Sequence, residues 1–330
     1  MPASAPAEFR ASSPHLVIAH AGRSTPGCQA ATPSLKLPNL ERLLSRLAVS
    51  HEDTQDESTL SPPHERAMAA ALGLPANDGL IPWAAWRARE LGLPSAQPGQ
   101  GWAALTLCNW LVGIDDVALG DPGVLDISGD ESAALLAAVR PFFEEDGITL
   151  HATPRPGQWL ALGSIFNGLP TASIDRAVGH PISEWQPLTE AARPLRRLQN
   201  EMQMLLYTHS VNDARTERRV PAINSFWPSG TGALPADLPA PATAPDLDDS
   251  LRATALIDDA QGWVEAWQAL DANRIRALLT QLERGESVQL TLCGDQSARS
   301  YVPREGGGLA AFAKRLFERA PSTADVLGTL

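Results

Sequence analysis

Residues 209–232, HSVNDARTERRVPAINSFWPSGTG, gather His209, Asn212, Arg215 and Asn224 around a strand-like VPAINSFW and close on two glycines, Gly230 and Gly232. Two readings compete for this stretch. In one it is a phosphate-accepting site, where Arg215 grips a phosphate or carboxylate through paired N–H groups while Asn224 and the glycine backbone add donors. In the other it is a corner joining helix to strand, with Asn212 and Asn224 satisfying backbone groups and Arg215 in an internal salt bridge. The preceding LTEAARPLRRLQNEMQMLLYTHSV reads as a long helix with Leu195, Leu198, Met202 and Leu205 on one side. If that helix continues, His209, Asn212 and Arg215 share a face.

Outward from this stretch, strand and helix patterns alternate. HLVIAHAG reads as a short buried strand closed by a glycine, and LPNLERLLSRLAV as a helix with Pro38 near its first position and Leu40, Leu43, Leu44 and Leu47 on one face. HEDTQDEST reads as an acidic, solvated loop. SPPHERAMAAALGL is a helix that Gly73 stops, IPWAAWRAREL is another, and WAALTLCNWLVGIDDVAL is a strand running into a carboxylate-rich turn. In DISGDESAALLAAVRPFF, Ser128 and Glu131 form a capping-box pattern before a helix that Pro141 interrupts. ITLHATP and QWLALG make a hairpin through Pro154–Gly157. Near the end, WVEAWQALDANRIRALLTQLERG is a helix and ESVQLTLCGDQ a strand ending in a glycine-acid corner. The alternation predicts an α/β fold, a three-layer sandwich with helices on both faces of a central sheet. Residues 1–13 read as a disordered leader, 14–330 as one domain, and 233–250 as a Pro/Ala-rich surface connection.

Composition narrows the function classes. Of 330 residues 44% are apolar, enough for a sizeable core, and the formal net charge of −12 argues against a nucleic-acid surface. Cys28, Cys108 and Cys293 cannot all pair and lack CxxC spacing, so neither a disulfide framework nor a zinc site is expected. No signal-peptide pattern and no apolar run of membrane length is present, which places the expected site of action in the cytoplasm, away from membranes.

Three segments in this order resemble the cofactor-independent phosphoglycerate mutases of the archaeal type, within the alkaline-phosphatase-like superfamily. HLVIAHAG with LPNLERLL is similar to the opening strand and "PNL" helix. VLDISGDESAALLAAV with ITLHA is similar to a D-[LI]-[ST]-x-x-E-A helix and the strand after it. The opening stretch is close to H-P-V-N-x-x-R-x-x-x-G-x-x-P-A-N-x-x-x-x-x-G-x-G, on which His209, Val211, Asn212, Arg215, Asn224, Gly230 and Gly232 fall, with Pro221 and Ala222 one residue ahead of its P-A. A narrower resemblance, through LSPPHERA, IPWAAW, LRRLQNEMQMLLYTH and INSFWPSG, is to a proteobacterial family known both as cofactor-independent phosphoglycerate mutase and as a regulatory protein of pathogenicity factors, type E.

Mutases of this kind use two divalent metals held by Asp and His, with a Ser or Thr nucleophile. A metal activates the weak hydroxyl, and the pair neutralises charge on the attacking and leaving oxygens. Ligand by ligand, the resemblance puts the first-strand Asp at Ala21 and the late Asp-His pair at Asp295 and Gln296. Between Gly232 and Trp263 stand Asp246, Asp248, Asp249, Asp258 and Asp259, and no histidine follows His209. For the nucleophile the nearest candidate is Ser61, with His64 three residues on; Ser61 reads more simply as an N-cap before Pro62-Pro63. Asp115 and Asp116 are candidate metal ligands at a strand end, or simply a turn. The expectation is therefore an alkaline-phosphatase-like fold of degenerate chemistry, with no cofactor, that binds a phosphorylated small molecule or a protein partner. The alternative is an active Mn²⁺-dependent mutase or phosphotransferase with rearranged ligands.

Overall fold

The computed structural model describes residues 14–93, 96–238, 244–304 and 322–330. The leader read at 1–13 lies outside them. In chain order the strands are β1 (His15–Ile18), β2 (Leu47–Thr54), β3 (Trp102–Cys108), β4 (Trp110–Val112), β5 (Val117–Leu119), β6 (Thr149–Ala152), β7 (Gln158–Leu162), β8 (Ser225–Gly232), β9 (Asp246–Asp248), β10 (Gln289–Cys293) and β11 (Ser297–Pro303). Where the sequence reads as one domain from residue 14, the chain divides into two compact units. Unit 1 is Met1–Thr54 with Ala240–Leu330; unit 2, Gln55–Pro239, is inserted between its two halves.

Unit 1 is built on a mixed sheet in the order β2-β11-β10-β1-β9. β1 pairs in parallel with β10 and β9, while β11 runs antiparallel to both β10 and β2. Leu16, Val17 and Ile18 are all buried, as a strand covered on both faces must be. Leu40 and Leu43 of helix Pro38–Arg46, Trp263 and Trp267 of helix Ala260–Leu270, and Leu278 of helix Arg276–Glu283 pack with Leu16, Leu290 and Leu292. A π-helical turn, Asp271–Ile275, joins the last two helices. It aims the Asp271 carboxylate at the start of Pro38–Arg46, where it accepts from the Asn39 and Leu40 amides at 3.2 and 2.8 Å.

Unit 2 holds a four-stranded antiparallel sheet in the order β6-β7-β3-β8 and a separate hairpin, β4-β5. The two-residue period of β3 serves two cores. Ala103, Leu105 and Leu107 face helices Gly129–Glu145 and Arg193–Tyr207, while Trp102 packs with helices Pro63–Leu72 and Trp83–Glu90. The unit is thus helix, sheet, helix, and the chain as a whole is mixed α/β with its sheets flanked by helices.

Four local expectations need correction. HEDT is not a loop: it completes β2, whose side chains are mostly exposed because it is the edge strand beside β11. Pro141 does not interrupt its helix, which runs from Gly129 to Glu145 with both halves of the Ser128/Glu131 capping box formed. The 233–250 connection carries β9, paired to β1; residues 239–243 lie outside the described set. The long helix breaks at Thr208, and a second helix, Ser210–Glu217, follows.

Candidate functional site

The motif at 209–232 forms a corner inside unit 2. His209 is the N-cap of helix Ser210–Glu217, its Nδ1 accepting from the Val211 amide at 3.2 Å. The buried Asn212 donates through Nδ2 to the carbonyls of Leu206 (2.8 Å) and Ile223 (2.7 Å) and accepts through Oδ1 from the Ile223 amide at 2.8 Å. Asn224 does the same for Trp110, accepting from its amide at 2.7 Å and donating to its carbonyl at 3.0 Å, so one side chain caps the edge of β4 as a strand would. Arg215 is 1% exposed. Its Nε donates to Pro221 O at 2.7 Å, one terminal nitrogen pairs with Glu131 at 3.0 Å, and the other donates to Leu125 O. This is the corner reading. The residues meet, but Arg215 is held by carbonyls and a carboxylate of its own chain, and a phosphate grip through it has no support in this geometry. The glycine of the R-x-x-x-G element falls on Arg219, which takes a left-handed φ of 59° at the helix end, with Val220 N bonded back to Arg215 O.

Glu131 links this corner to helix Gly129–Glu145. It closes the capping box and also pairs with Arg218. Burial pushes its pKa up, while the Ser128 amide and the Arg218 and Arg215 guanidiniums pull it down further, to below its ordinary value.

Ser61 and His64 lie at the start of helix Pro63–Leu72, also in unit 2. Ser61 is not the cap: Pro62 holds that position, and the Ser61 hydroxyl accepts instead from the Gly79 amide at 2.9 Å. Its own amide donates to Asp78, and Arg66 donates to its carbonyl at 2.6 Å. His64 Nε2 lies 3.4 Å from the Asp175 carboxylate, with His64 buried and Asp175 half-buried. Next to it Ser173 donates to Glu65 at 2.5 Å, and burial raises the Glu65 pKa against the pull of His64 and that hydroxyl. Arg66 and Arg176 both reach the Thr59 hydroxyl, at 3.5 and 3.0 Å. Asp175, Ser173 and Arg176 were invisible as partners in sequence because they sit on the short helix Ile174–Ala177 and its cap, far along the chain from His64.

Unit 1 carries the strand-end positions. After β1 come Ala21, Arg23 and Ser24; after β10 comes Asp295. The Asp295 carboxylate pairs with the Arg23 guanidinium and accepts from the amide and hydroxyl of Ser24, both at 2.7 Å. Ala21 is fully buried and donates its amide to Cys293 O. The later carboxylates are engaged in the same way. Asp246 pairs with Arg274, Asp248 holds Ser250, Asp258 accepts from the Gly27 and Cys28 amides at 2.9 Å, and Asp259 caps helix Ala260–Leu270. Asp115 and Asp116, in unit 2, are exposed on the turn of the β4-β5 hairpin, where Gly113 N donates to Asp116 O. They are a turn in geometry. Within unit 1 alanine thus stands at one position where the resemblance implies a ligand, and Asp295, Asp246, Asp248, Asp258 and Asp259 bond amides, hydroxyls or arginines. Cys28, Cys108 and Cys293 are buried and in no disulfide, and burial pushes the Cys28 thiol up to about 11. No helix among the described residues is long and apolar enough to cross a membrane.

Comparison with known proteins places no family on this chain: no family model matches it, and no curated protein does. Among solved structures it is similar to a cofactor-independent phosphoglycerate mutase from Thermoplasma acidophilum DSM 1728, at 13% identity and a TM-score of 0.37, over 89% of this chain and 90% of that one. It is also similar to the PH0037 protein from Pyrococcus horikoshii, at 14% identity and a TM-score of 0.42, over 90% of this chain and 88% of that one.

Proposed function

We propose that this chain is a phosphoglycerate-mutase-like protein without that family's metal centre, binding a phosphorylated small molecule or a protein partner in a regulatory role. The observation that carries the reading is Asp295. It stands where the resemblance puts a metal ligand, yet its cation is Arg23 of the same unit, reinforced by the Ser24 amide and hydroxyl. A carboxylate satisfied in this way loses those partners if it turns to a metal, which disfavours the exchange.

The test uses the full chain with 3-phosphoglycerate and Mn²⁺, beside a chelated control. The expected result is no chelator-sensitive formation of 2-phosphoglycerate, together with a rise in Tm from 3-phosphoglycerate that is equal with and without chelator. Ligand at a hundredfold excess over its Kd stabilises by about 2.7 kcal/mol. Turnover that needs Mn²⁺ and disappears in Ser61→Ala would overturn the reading.

One observation favours a second reading, an active metal-dependent phosphotransferase. His64 and Asp175 place a ring nitrogen and a carboxylate oxygen 3.4 Å apart in unit 2, donor types that suit divalent ions. Equilibrium dialysis against Mn²⁺ decides between the two: stoichiometric binding lost in both His64→Ala and Asp175→Ala selects the enzyme.

A further inference from the structure

Open α/β sheets take ligands at the carboxyl ends of their parallel strands. In unit 1 residues 322–330 lie across the carboxyl ends of β1 and β10. Ser322 and Asp325 cap the short helix Thr323–Leu327 reciprocally, and Val326, Leu327 and Leu330 join the core of the unit. The main-chain oxygen of Leu330 accepts from two successive amides, Gln296 at 3.1 Å and Ser297 at 2.7 Å. Arg299 donates to the Thr329 hydroxyl at 3.3 Å.

Two glycines make room for this segment. A Cβ on Gly294 would stand 2.5 Å from Leu330 Cβ, and one on Gly22 would stand 2.9 Å from the same atom. At both positions the missing side chain serves close approach of two chain segments. Successive amides converging on one oxygen are an oxyanion-accepting arrangement. The neighbouring Asp295 charge is already met by Arg23 and Ser24, so an incoming anion does not face a bare carboxylate. The helix Thr323–Leu327 is far shorter than one that persists unaided, so its order depends on the cradle beneath it.

We propose that residues 322–330 form a strap over an oxyanion-accepting corner at Gly294–Ser297, and that a phosphate-bearing ligand takes the Gln296 and Ser297 amides in its place. The proposal rests on the ligand-binding reading above and adds to it a site and a gate. Hydrogen exchange of the full chain, read by mass spectrometry with and without inorganic phosphate, tests it. The strap amides should exchange about tenfold or more faster than those of β1 and β10, since a separable element opens without global unfolding. Phosphate should accelerate the strap further and leave β1 and β10 unchanged. Gly294→Ala should accelerate it without phosphate. If that variant also loosens β10 it has disturbed the fold, and the unsubstituted chain decides. Strap exchange at the rate of β1 and β10, or exchange that phosphate leaves alone or slows, overturns the proposal. A phosphoglycerate-induced rise in Tm with unchanged strap exchange overturns the strap and leaves the ligand-binding reading standing. A strap that phosphate opens, in a chain that phosphoglycerate does not stabilise, upholds the strap and removes phosphoglycerate from that reading.

Discussion

Unit 2 and unit 1 each contain a corner at residues that the mutase resemblance marks, and the two corners have opposite histories in sequence. In unit 2 the family's residue types stand nearly complete: His209, Asn212, Arg215 and Asn224. Their side chains bond carbonyls, amides and one carboxylate of the same unit. In unit 1 the types differ, with Ala21 and Gln296 where the resemblance implies ligands, and Asp295 is joined to Arg23 and Ser24. In unit 2 the nearly complete set of types holds backbone groups, and in unit 1 the carboxylate that stands holds an arginine and a serine. Residue type alone therefore does not report chemistry; the partner of each polar atom does.

The sharpest way to break this contrast is Arg215→Ala. Removing a fully buried guanidinium leaves the Leu125 and Pro221 carbonyls and part of the Glu131 carboxylate unmet, and the expected loss is about 3–5 kcal/mol in urea unfolding. If Arg215 instead serves a ligand, the variant will unfold near the parent midpoint and lose only its response to 3-phosphoglycerate. Asn212→Ala comes next, at about 2–3 kcal/mol, because it strips the Leu206 carbonyl and both backbone groups of Ile223 of partners in a buried place. A loss within the range of ordinary surface substitutions would show that water replaces the amide and that the corner is looser than its bonds imply.

Much of the fold was legible from periodicity. The apolar run HLVI became the buried β1, the leucines of Pro38–Arg46 became one core face, and ITLHA with QWLAL became paired strands. Where composition misled at HEDT, a distant partner decided. HEDT has a loop's composition, and only pairing with β11 makes it a strand. The two-unit division is equally hidden, because unit 1 is assembled from segments separated by all of unit 2. At the candidate sites, Ser61 and His64 were picked from local spacing, whereas Asp175, Ser173 and Arg176 come from a later helix that no local pattern connects to them.

A smaller effect separates the units by acid. Asp258 of unit 1 has its pKa held down to about 2 by the Gly27 and Cys28 amides and the Thr25 hydroxyl. Its folded value lies below the ordinary 3.8, so the unfolded chain protonates first. The stability it gives is whole above the ordinary value and is lost as pH falls toward about 2. Asp258→Asn should flatten that part of the acid limb in the urea midpoint, and an unchanged slope would mean the carboxylate does not hold these amides in solution. Glu131→Gln should act likewise in unit 2, since the Glu131 pKa is also lowered.

The last test changes sign. Arg219 occupies a left-handed conformation, φ 59°, at the end of helix Ser210–Glu217, where the family pattern has glycine. The Val220 amide bonds back to Arg215 O at 3.1 Å and the Arg219 amide to Thr216 O at 3.0 Å, so the turn is fixed by the same residues that make the corner. A side chain costs about 1 kcal/mol or more in this region, against a smaller entropic cost of adding glycine to the unfolded chain. Arg219 is exposed and solvated, so its removal should leave the corner's bonds in place. Arg219→Gly should therefore stabilise the protein by roughly 0.5 kcal/mol. A gain would mean that the glycine in the pattern is a demand of backbone geometry alone. A loss would mean that the Arg219 side chain holds something the turn does not need, and the architectural account of this corner would have to admit a ligand or partner at its rim.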